Sequence, residues 1–318
     1  MSLPLADICT MDSFCQKIVK ENFSKADVSA DYSLLDEKEL DEITEAALNK
    51  IIGELYEDND DSFIKLTSMF LSERDDDKLS EIINGLYRYS RSYPSPEIWL
   101  DSVSDSFSAQ KSPNETVWAD VIYNHIELMS DFHRKRLLRA VSLMEESGDF
   151  SPAFIQRFTV SADNLTALNE SAKNKNWDAV VSVIRNGLIF NCPARNSKVD
   201  AYIKDLATDA FNAFKQDVEA LEGLNLPTEA EHKQDCSHLQ PIVNKLCDAV
   251  KMLEKELSEV KKSRNAYSFD DILHKCIDLL VVFNEQEWAR TPLAIELQEK
   301  YKEIFIDEYQ DTLSLIHI

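Results

Sequence analysis

The sequence predicts a mainly α protein in which a large helical middle is flanked at both ends by short pieces of an α/β core. Apolar residues recur at helical spacing through most of the chain, beginning with Leu40, Ile43 and Ala47. No turn of the Asn-Gly type joins two alternating segments, which argues against a β-hairpin protein. Short β-favouring segments occur instead near the two ends, at residues 6–10 and 303–307.

Capping sequences predict where several helices begin. The run Ser112-Pro113-Asn114-Glu115 combines an N-cap, a first-turn proline and a capping-box glutamate, and predicts a helix continuing to Met144. Ser151-Pro152 predicts the next start, and a helix is also predicted from Ser13. Periodic apolar residues predict long helices over 199–221 and 239–260. Breaks are predicted at 58–61, 92–96, 191–193 and 225–227.

Composition and charge exclude several classes of protein. The 318 residues include 58 acidic and 34 basic side chains, a formal net charge of −24. This charge argues against nucleic-acid binding over the whole surface, although a local basic track is still compatible with it. No apolar segment approaches the ~20 residues that a membrane helix needs. The six scattered cysteines do not resemble a disulfide framework, so we expect a cytoplasmic protein without membrane contact.

The glycines exclude a phosphate-binding P-loop within these residues. There are only five, they stand singly, and none is followed by Lys-Ser or Lys-Thr. A triphosphate therefore has no glycine-rich cradle within residues 1–318.

An acid pair follows the apolar segment near the second end. The segment 304–306 favours a buried strand, and Asp307 and Glu308 follow it directly. Ligands of α/β sheets bind at the carboxyl ends of strands. One acid can there hold Mg²⁺ while the other faces an attacking water. A solvated acid pair after a core strand is the alternative for a bare Asp-Glu.

The longer motif, Asp307-Glu308-Tyr309-Gln310-Asp311-Thr312, resembles motif II (Walker B) of the UvrD/RecB-type superfamily 1 helicases. The resemblance implies ATP and Mg²⁺ as cofactors. It implies that Asp307 binds Mg²⁺, that Glu308 polarises the hydrolytic water, and that Gln310 senses the γ-phosphate. Asp311 and Thr312 match the motif in supporting roles.

A second segment, Thr10-Met11-Asp12-Ser13-Phe14-Cys15, resembles the Thr-x-His-Ser-Phe-Cys segment of the same helicases. In that family the segment lies on the single-strand DNA side of the first motor domain, which implies DNA contacts for Thr10, Ser13 and Phe14. Asp12 stands where histidine is common, which puts a contact from that position in doubt. Ser13 is equally interpretable as a helix N-cap.

Two internal segments narrow the resemblance to AddA-type helicase/nuclease subunits. Residues 86–100 resemble a Leu-Tyr…Ser-x-Pro-x-Pro-x-x-Trp-Leu segment of those subunits. Residues 261–273 resemble the lysine-rich segment and Asp-Phe-x-Asp-Leu helix that precede motif II, with Ser268 in place of the first aspartate. Lys261 and Arg264 are the DNA-contact candidates there. The long stretch between the core motifs suits the enlarged helical insertion of this family.

The resemblance implies a domain organisation and a function. We expect residues 1–25 and 266–312 to be pieces of a RecA-like α/β motor domain, and residues 26–265 to be a helical insertion domain. Residues 313–318 match a translated transposon-end sequencing adapter and are expected to be non-native. The parent protein is expected to unwind and process DNA ends in double-strand-break repair with an AddB-type partner subunit. Without a P-loop, the piece alone is expected to be inactive.

Two other functions stay open from the sequence. One is a non-enzymatic, acidic helical interaction module in which the terminal Asp-Glu is incidental. The other is a UvrD-type helicase without a nuclease. A basic cluster in the middle of the chain is interpreted as a solvated helix face, with DNA phosphate contact as the alternative; it comprises His133, Arg134, Lys135, Arg136 and Arg139.

Overall fold

A computed structural model describes residues 7–70, 76–191, 199–284 and 287–307. These ranges are mainly helical, which confirms the predicted helical class. Their helices are α1 Met11–Glu21, α2 Glu37–Asp58, α3 Asp61–Phe70, α4 Asp76–Ser90, α5 Pro96–Ser106, α6 Ala119–Ser147, α7 Pro152–Lys173, α8 Trp177–Arg185, α9 Ala201–Gly223, α10 Glu229–Arg264, α11 Phe269–Leu280 and α12 Pro292–Lys300. The strands are β1 Ser33–Leu34, β2 Ala266–Tyr267, β3 Val281–Phe283 and β4 Trp288–Arg290.

Helix starts follow the capping chemistry, with two corrections. Ser151 caps α7 by accepting a hydrogen bond from the backbone N–H of Phe154 at 3.4 Å, as predicted. The capping box at Ser112 forms too, but it begins only a 3₁₀ turn. Because Thr116 then adopts an extended conformation, α6 starts at Ala119. The first helix begins at Met11 rather than at Ser13.

The chain divides into two compact units, one formed by Ser106–Gln240 and the other by Met1–Asp105 with Pro241–Ile318. The first of these units packs α6, α7, α8 and α9 around a continuous apolar core. Leu137, Phe158 and Phe214 are among its fully buried side chains. The ring centroids of Phe158 and Phe211 lie 5.2 Å apart in an edge-to-face contact. This unit is therefore an all-helical bundle with its own core.

The discontinuous unit has two apolar clusters. One cluster packs α2, α3, α4 and α5 against the part of α10 that follows Pro241. The other combines α1 with α11 and α12 through Ile18, Ile272 and Leu297. Residues 26–105 and 241–265 thus share a compact unit with both ends of the described chain. The division into motor pieces and an insertion concerns family architecture and stays a prediction.

Two small sheets connect segments of the discontinuous unit. Strands β1 and β2 are parallel, and Ser33 is in register with Ala266. The backbone N–H of Leu35 donates to the carbonyl of Tyr267 at 3.0 Å. Strands β3 and β4 are antiparallel neighbours, with Val282 opposite Ala289. The first pair joins parts of the chain that are far apart in sequence.

The two strands predicted at the ends are not formed in the described residues. Residues 7–10 are exposed and carry no strand, and the same holds for residues 303–307. Phe305 is 89% exposed, so the prediction of a buried strand there was wrong. A strand needs neighbours that satisfy its backbone groups and cover its side chains. Neither described sheet places a strand beside these segments.

Candidate functional site

The first motif forms the beginning of α1. Thr10 is the N-cap, and its hydroxyl accepts a hydrogen bond from the backbone N–H of Ser13 at 3.2 Å. The Thr10 hydroxyl also donates to the Ser13 hydroxyl at 3.0 Å. Both side chains are exposed, whereas Phe14 is half-buried. The cap is therefore Thr10, and the interpretation of Ser13 as the cap was wrong.

Side chains near the two ends of the described chain contact one another. The ring centroids of Phe14 and Tyr301 lie 5.9 Å apart in an edge-to-face contact. Asp7 accepts hydrogen bonds from the Tyr301 hydroxyl and from the Lys17 ammonium, the latter at 3.1 Å. The Tyr301 hydroxyl and the Lys17 ammonium together hold the pKa of Asp7 below its usual value. The structure thus brings the first motif beside the segment that leads to Asp307.

The second motif lies mostly outside the described residues. Asp307 is described and exposed. Glu308 and Gln310, together with Asp311 and Thr312, lie outside the described ranges, as does the tail 313–318. In the part of the chain that the structure describes, no group of three or more His, Cys, Asp or Glu side chains is arranged to hold a metal ion. The predicted roles of Asp307, Glu308 and Gln310 stay predictions.

The two basic candidates at the end of α10 have different environments. Lys261 is 3% exposed, and its ammonium lies 2.8 Å from a carboxylate oxygen of Asp271. This buried ion pair argues against the predicted phosphate contact by Lys261. The burial indicates a structural role for this side chain instead. Arg264 is exposed and can reach a ligand in solvent.

A buried charge network surrounds this ion pair, and the sequence reasoning missed it. The side chain of Arg91 is only 9% exposed. Its guanidinium nitrogens lie 2.6 Å from Asp270, 3.2 Å from Asp271 and 3.2 Å from Glu254. The imidazole Nε2 of His274 donates to the Arg91 carbonyl at 2.9 Å. The network therefore fixes the end of α4 against α10 and α11.

The network joins the two internal segments that carry the resemblance. Arg91 belongs to residues 86–100, while Lys261 and Asp271 belong to residues 261–273. Burial alone would raise the pKa of Asp271, but Lys261 and Arg91 outweigh it and lower that pKa below its ordinary value. Arg91 stands directly before the Ser-x-Pro-x-Pro segment in the sequence, yet its acidic partners lie far along the chain.

The departure at Ser268 also has a structural explanation. Ser268 is the N-cap of α11, and its hydroxyl accepts a hydrogen bond from the backbone N–H of Asp271 at 3.1 Å. Asp271 returns the contact by accepting from the backbone N–H of Ser268 at 2.8 Å. Serine and aspartate are both preferred N-caps. The substitution therefore preserves the start of the helix.

The described helices and the ordered motifs point to one class of protein, the UvrD-type helicases. Comparison of the sequence with known protein families identifies the same class. A family profile described as "UvrD/REP helicase N-terminal domain" matches residues 2–316. The chain belongs to this family. The resemblance that the motifs suggested is thereby confirmed.

Individual relatives refine the comparison. The chain is 26% identical over 314 residues to an ATP-dependent helicase/nuclease subunit from Clostridium botulinum (strain Alaska E43 / Type E3), covering 96% of this chain and 25% of the relative. It is 26% identical over 320 residues to the protein of the same name from Geobacillus kaustophilus, covering 98% and 25%. The chain thus spans about one quarter of the length of these relatives.

Among the described helices, none is long and apolar enough to cross a membrane.

Proposed function

We propose that this chain is part of the first motor domain of an ATP-dependent DNA helicase/nuclease subunit of the AddA type. The family match over residues 2–316 is the observation that carries the proposal. The ordered motifs at residues 10–15, 86–100, 261–273 and 304–312 support it. The names of the relatives favour this function over a helicase without a nuclease. On this proposal, residues 1–25 and 266–312 belong to a RecA-like core, and residues 26–265 form its helical insertion.

The acidic residues of the second motif are suited to ATP hydrolysis. Asp307 is an exposed carboxylate, a hard oxygen ligand of the kind Mg²⁺ prefers. We assign it to Mg²⁺, which when bound with ATP neutralises charge on the phosphates. Glu308 would orient the attacking water and accept its proton. Gln310 would hydrogen-bond near the γ-phosphate and couple its presence to the DNA side of the domain.

The first motif supplies the DNA side of this proposal. Ser13 presents an exposed hydroxyl at the start of α1 that can donate to a phosphate oxygen, and the exposed Thr10 hydroxyl can do so by turning away from Ser13. Phe14 packs on Tyr301, so a shift of the segment leading to Asp307 would be felt at α1. Arg264 adds an exposed positive charge at the end of α10. These contacts offer a physical route between nucleotide and DNA.

The wider activity follows from the same family membership. The complete protein would unwind and process DNA ends during double-strand-break repair, in the cytoplasm and with an AddB-type partner subunit. Residues 1–318 contain no P-loop lysine, so on this proposal the 318-residue chain by itself binds ATP weakly and does not hydrolyse it.

The test begins with the gene. Genomic DNA is sequenced through both ends of the reading frame, and the complete polypeptide is expressed as wild type, Glu308→Gln and Glu303→Gln. Glu308→Gln removes the proposed base, so we expect DNA-stimulated ATP hydrolysis to fall about 100-fold or more. Glu303→Gln is the matched control, because Glu303 is an exposed carboxylate just before the motif, and it should retain most activity. Binding of a fluorescent ATP analogue should persist in the Glu308→Gln protein, because the substitution removes the proposed base and not the Mg²⁺ ligand Asp307.

Two results would contradict the proposal. One is a complete reading frame without a P-loop or further helicase motifs. The other is full ATPase activity in the Glu308→Gln protein. Either result would favour a non-enzymatic role for the acidic helical chain.

A further inference from the structure

Exposed apolar side chains of the unit Ser106–Gln240 are concentrated on one helix. Val121 is 68% exposed, Leu128 66% and Phe132 55%, and all three lie on α6. Among the described residues of this unit, the other large hydrophobic side chains of comparable exposure are Val117, which lies just before α6, Tyr202 and Leu224. Single exposed apolar residues are ordinary, but a contiguous set on one face marks an interaction site.

These residues form a regular seam along α6. Positions separated alternately by four and three residues lie on one line of a helix, the spacing of a helix–helix seam. The α6 outer seam comprises Val121, His125, Leu128, Phe132, Lys135 and Arg139. The opposite face of α6 is already buried in the bundle through Tyr123, Ile126 and Leu137. A surface helix normally has polar residues opposite its core face, and α6 departs from that rule.

The charge along the seam is opposite to that of the protein. The chain carries a net charge of −24, yet none of the six seam positions is acidic. Lys135 lies 2.5 Å from Asp131 on the flank of the seam, and Arg139 is exposed. The guanidinium of Arg136 lies 5.4 Å from the centre of the Phe132 ring and extends the basic end. The seam is therefore apolar in its first half and basic in its second.

We propose that the α6 outer seam docks an amphipathic helix of a separate protein. The apolar residues of that helix would cover Val121, Leu128 and Phe132, and its acidic residues would face Lys135 and Arg139. A helix in a groove is recognised through such periodic anchors. The proposal uses only α6 and is independent of the ATPase assignment.

The composition of the seam favours a protein over nucleic acid. Two aliphatic side chains and a single phenylalanine offer little to phosphates, whereas nucleic-acid tracks rely on several cations and stacked aromatic rings. A second copy of this acidic chain is another occupant, and self-association tests for it. A further part of the same polypeptide is a third, because the chain spans about one quarter of the length of its relatives. Binding of the peptide by the 318-residue chain but not by the complete polypeptide would indicate that third occupant and overturn the proposal.

The experiment uses the 318-residue chain and two fluorescent peptides of about 20 residues, a length that spans the seam. Both peptides are designed as amphipathic helices with leucines on one face in one half. In the other half, that face carries glutamates in one peptide and lysines in the other. Binding is followed by anisotropy for wild type, Leu128→Ser/Phe132→Ser and Lys135→Glu/Arg139→Glu. The matched control is Tyr202→Ser/Leu224→Ser, which alters exposed apolar residues of the same unit away from the seam. Thermal unfolding checks that all variants are folded.

We expect the glutamate peptide to bind wild type and the matched control equally. The serine variant should weaken this binding about 10-fold or more, since anchors carry most of the energy. The charge-reversed variant should lose the glutamate peptide and gain the lysine peptide. Failure of the glutamate peptide to saturate, or equal binding to all variants, would overturn the proposal. Two further results would overturn it if the glutamate peptide does not bind. One is binding of oligo(dT) that the seam variants abolish, and the other is dimerisation in sedimentation that they abolish.

Discussion

At the scale of single residues, the best-defined feature is the charge network around Arg91. Buried charges are costly unless they are paired, because the protein interior solvates them poorly. Arg91 and Lys261 both contact Asp271, so the carboxylate has two cationic partners. Removal of one member leaves another charge buried without a partner, which destabilises the folded protein. The side chains are thus mutually dependent, and they connect α4, α10 and α11.

This arrangement predicts a pH-dependent contribution to stability. The pKa of Asp271 is lowered in the folded protein, so its contribution is complete above the unfolded pKa, about 3.9, and is lost as the pH falls further. Asp271→Asn should therefore cost about 3–5 kcal/mol at pH 7. The difference in unfolding free energy between wild type and variant should shrink at about pH 3. Urea unfolding followed by circular dichroism measures it.

The neighbouring residue gives a control. Asp270 also contacts Arg91, but its side chain is 47% exposed, and solvent screens such pairs. Asp270→Asn should therefore cost at most about 1 kcal/mol. A difference for Asp271→Asn that stays constant between the two pH values would contradict the assignment of the lowered pKa.

At the scale of secondary structure, caps decide where helices begin. Thr10 and Ser268 each satisfy a backbone N–H that would otherwise lack a partner in the first turn. Ser268 is buried, so water cannot replace its hydroxyl easily. Asp271 completes a reciprocal capping box and at the same time binds Lys261. One residue thus links the start of α11 to the charge network.

The cap of α11 gives a second prediction. Ser268→Ala should destabilise the protein by about 1–2 kcal/mol, because the N–H of Asp271 loses its acceptor. Ser268→Thr keeps the hydroxyl and should cost much less. Hydrogen exchange of the first-turn amides of α11 measures the local effect directly. Equal exchange in the alanine and threonine variants would show that the cap does not stabilise this helix.

At the scale of the whole molecule, each compact unit has its own apolar core. Leu165 on α7 is fully buried in the bundle core of Ser106–Gln240. Leu253 on α10 is fully buried in the discontinuous unit. Cooperative opening follows contiguous packed regions, so separate cores are expected to open separately.

This separation is testable with two matched core substitutions. Leu165→Ala and Leu253→Ala each remove similar buried volume, at a cost of about 2–5 kcal/mol. Leu165→Ala should speed amide exchange in α6, α7 and α9 and leave α2 and α4 unchanged. Leu253→Ala should do the reverse. Faster exchange throughout the chain in both variants would indicate a single cooperative unit.

Much of the helical fold and the family could be predicted from the sequence, whereas little of the candidate site could. Apolar periodicity and Ser151-Pro152 give helices directly, because the spacing of a helix is a local property. The Arg91–Asp271 contact joins segments far apart along the chain, and no local pattern reports it. At residues 303–307, by contrast, the sequence predicted a strand that the described structure does not form. Their side chains favour a strand, but strand formation depends on neighbours supplied by tertiary structure.

Residue type and spacing alone were enough to predict the helical class, the acidic charge, the order of the motifs and the UvrD-type resemblance. The folded structure shows that Lys261 is buried in an ion pair, that Phe14 contacts Tyr301, and that the α6 outer seam is exposed within the described residues. Burial and long-range contact depend on which surfaces the folded chain brings together. A linear pattern carries no information about that until the chain has folded.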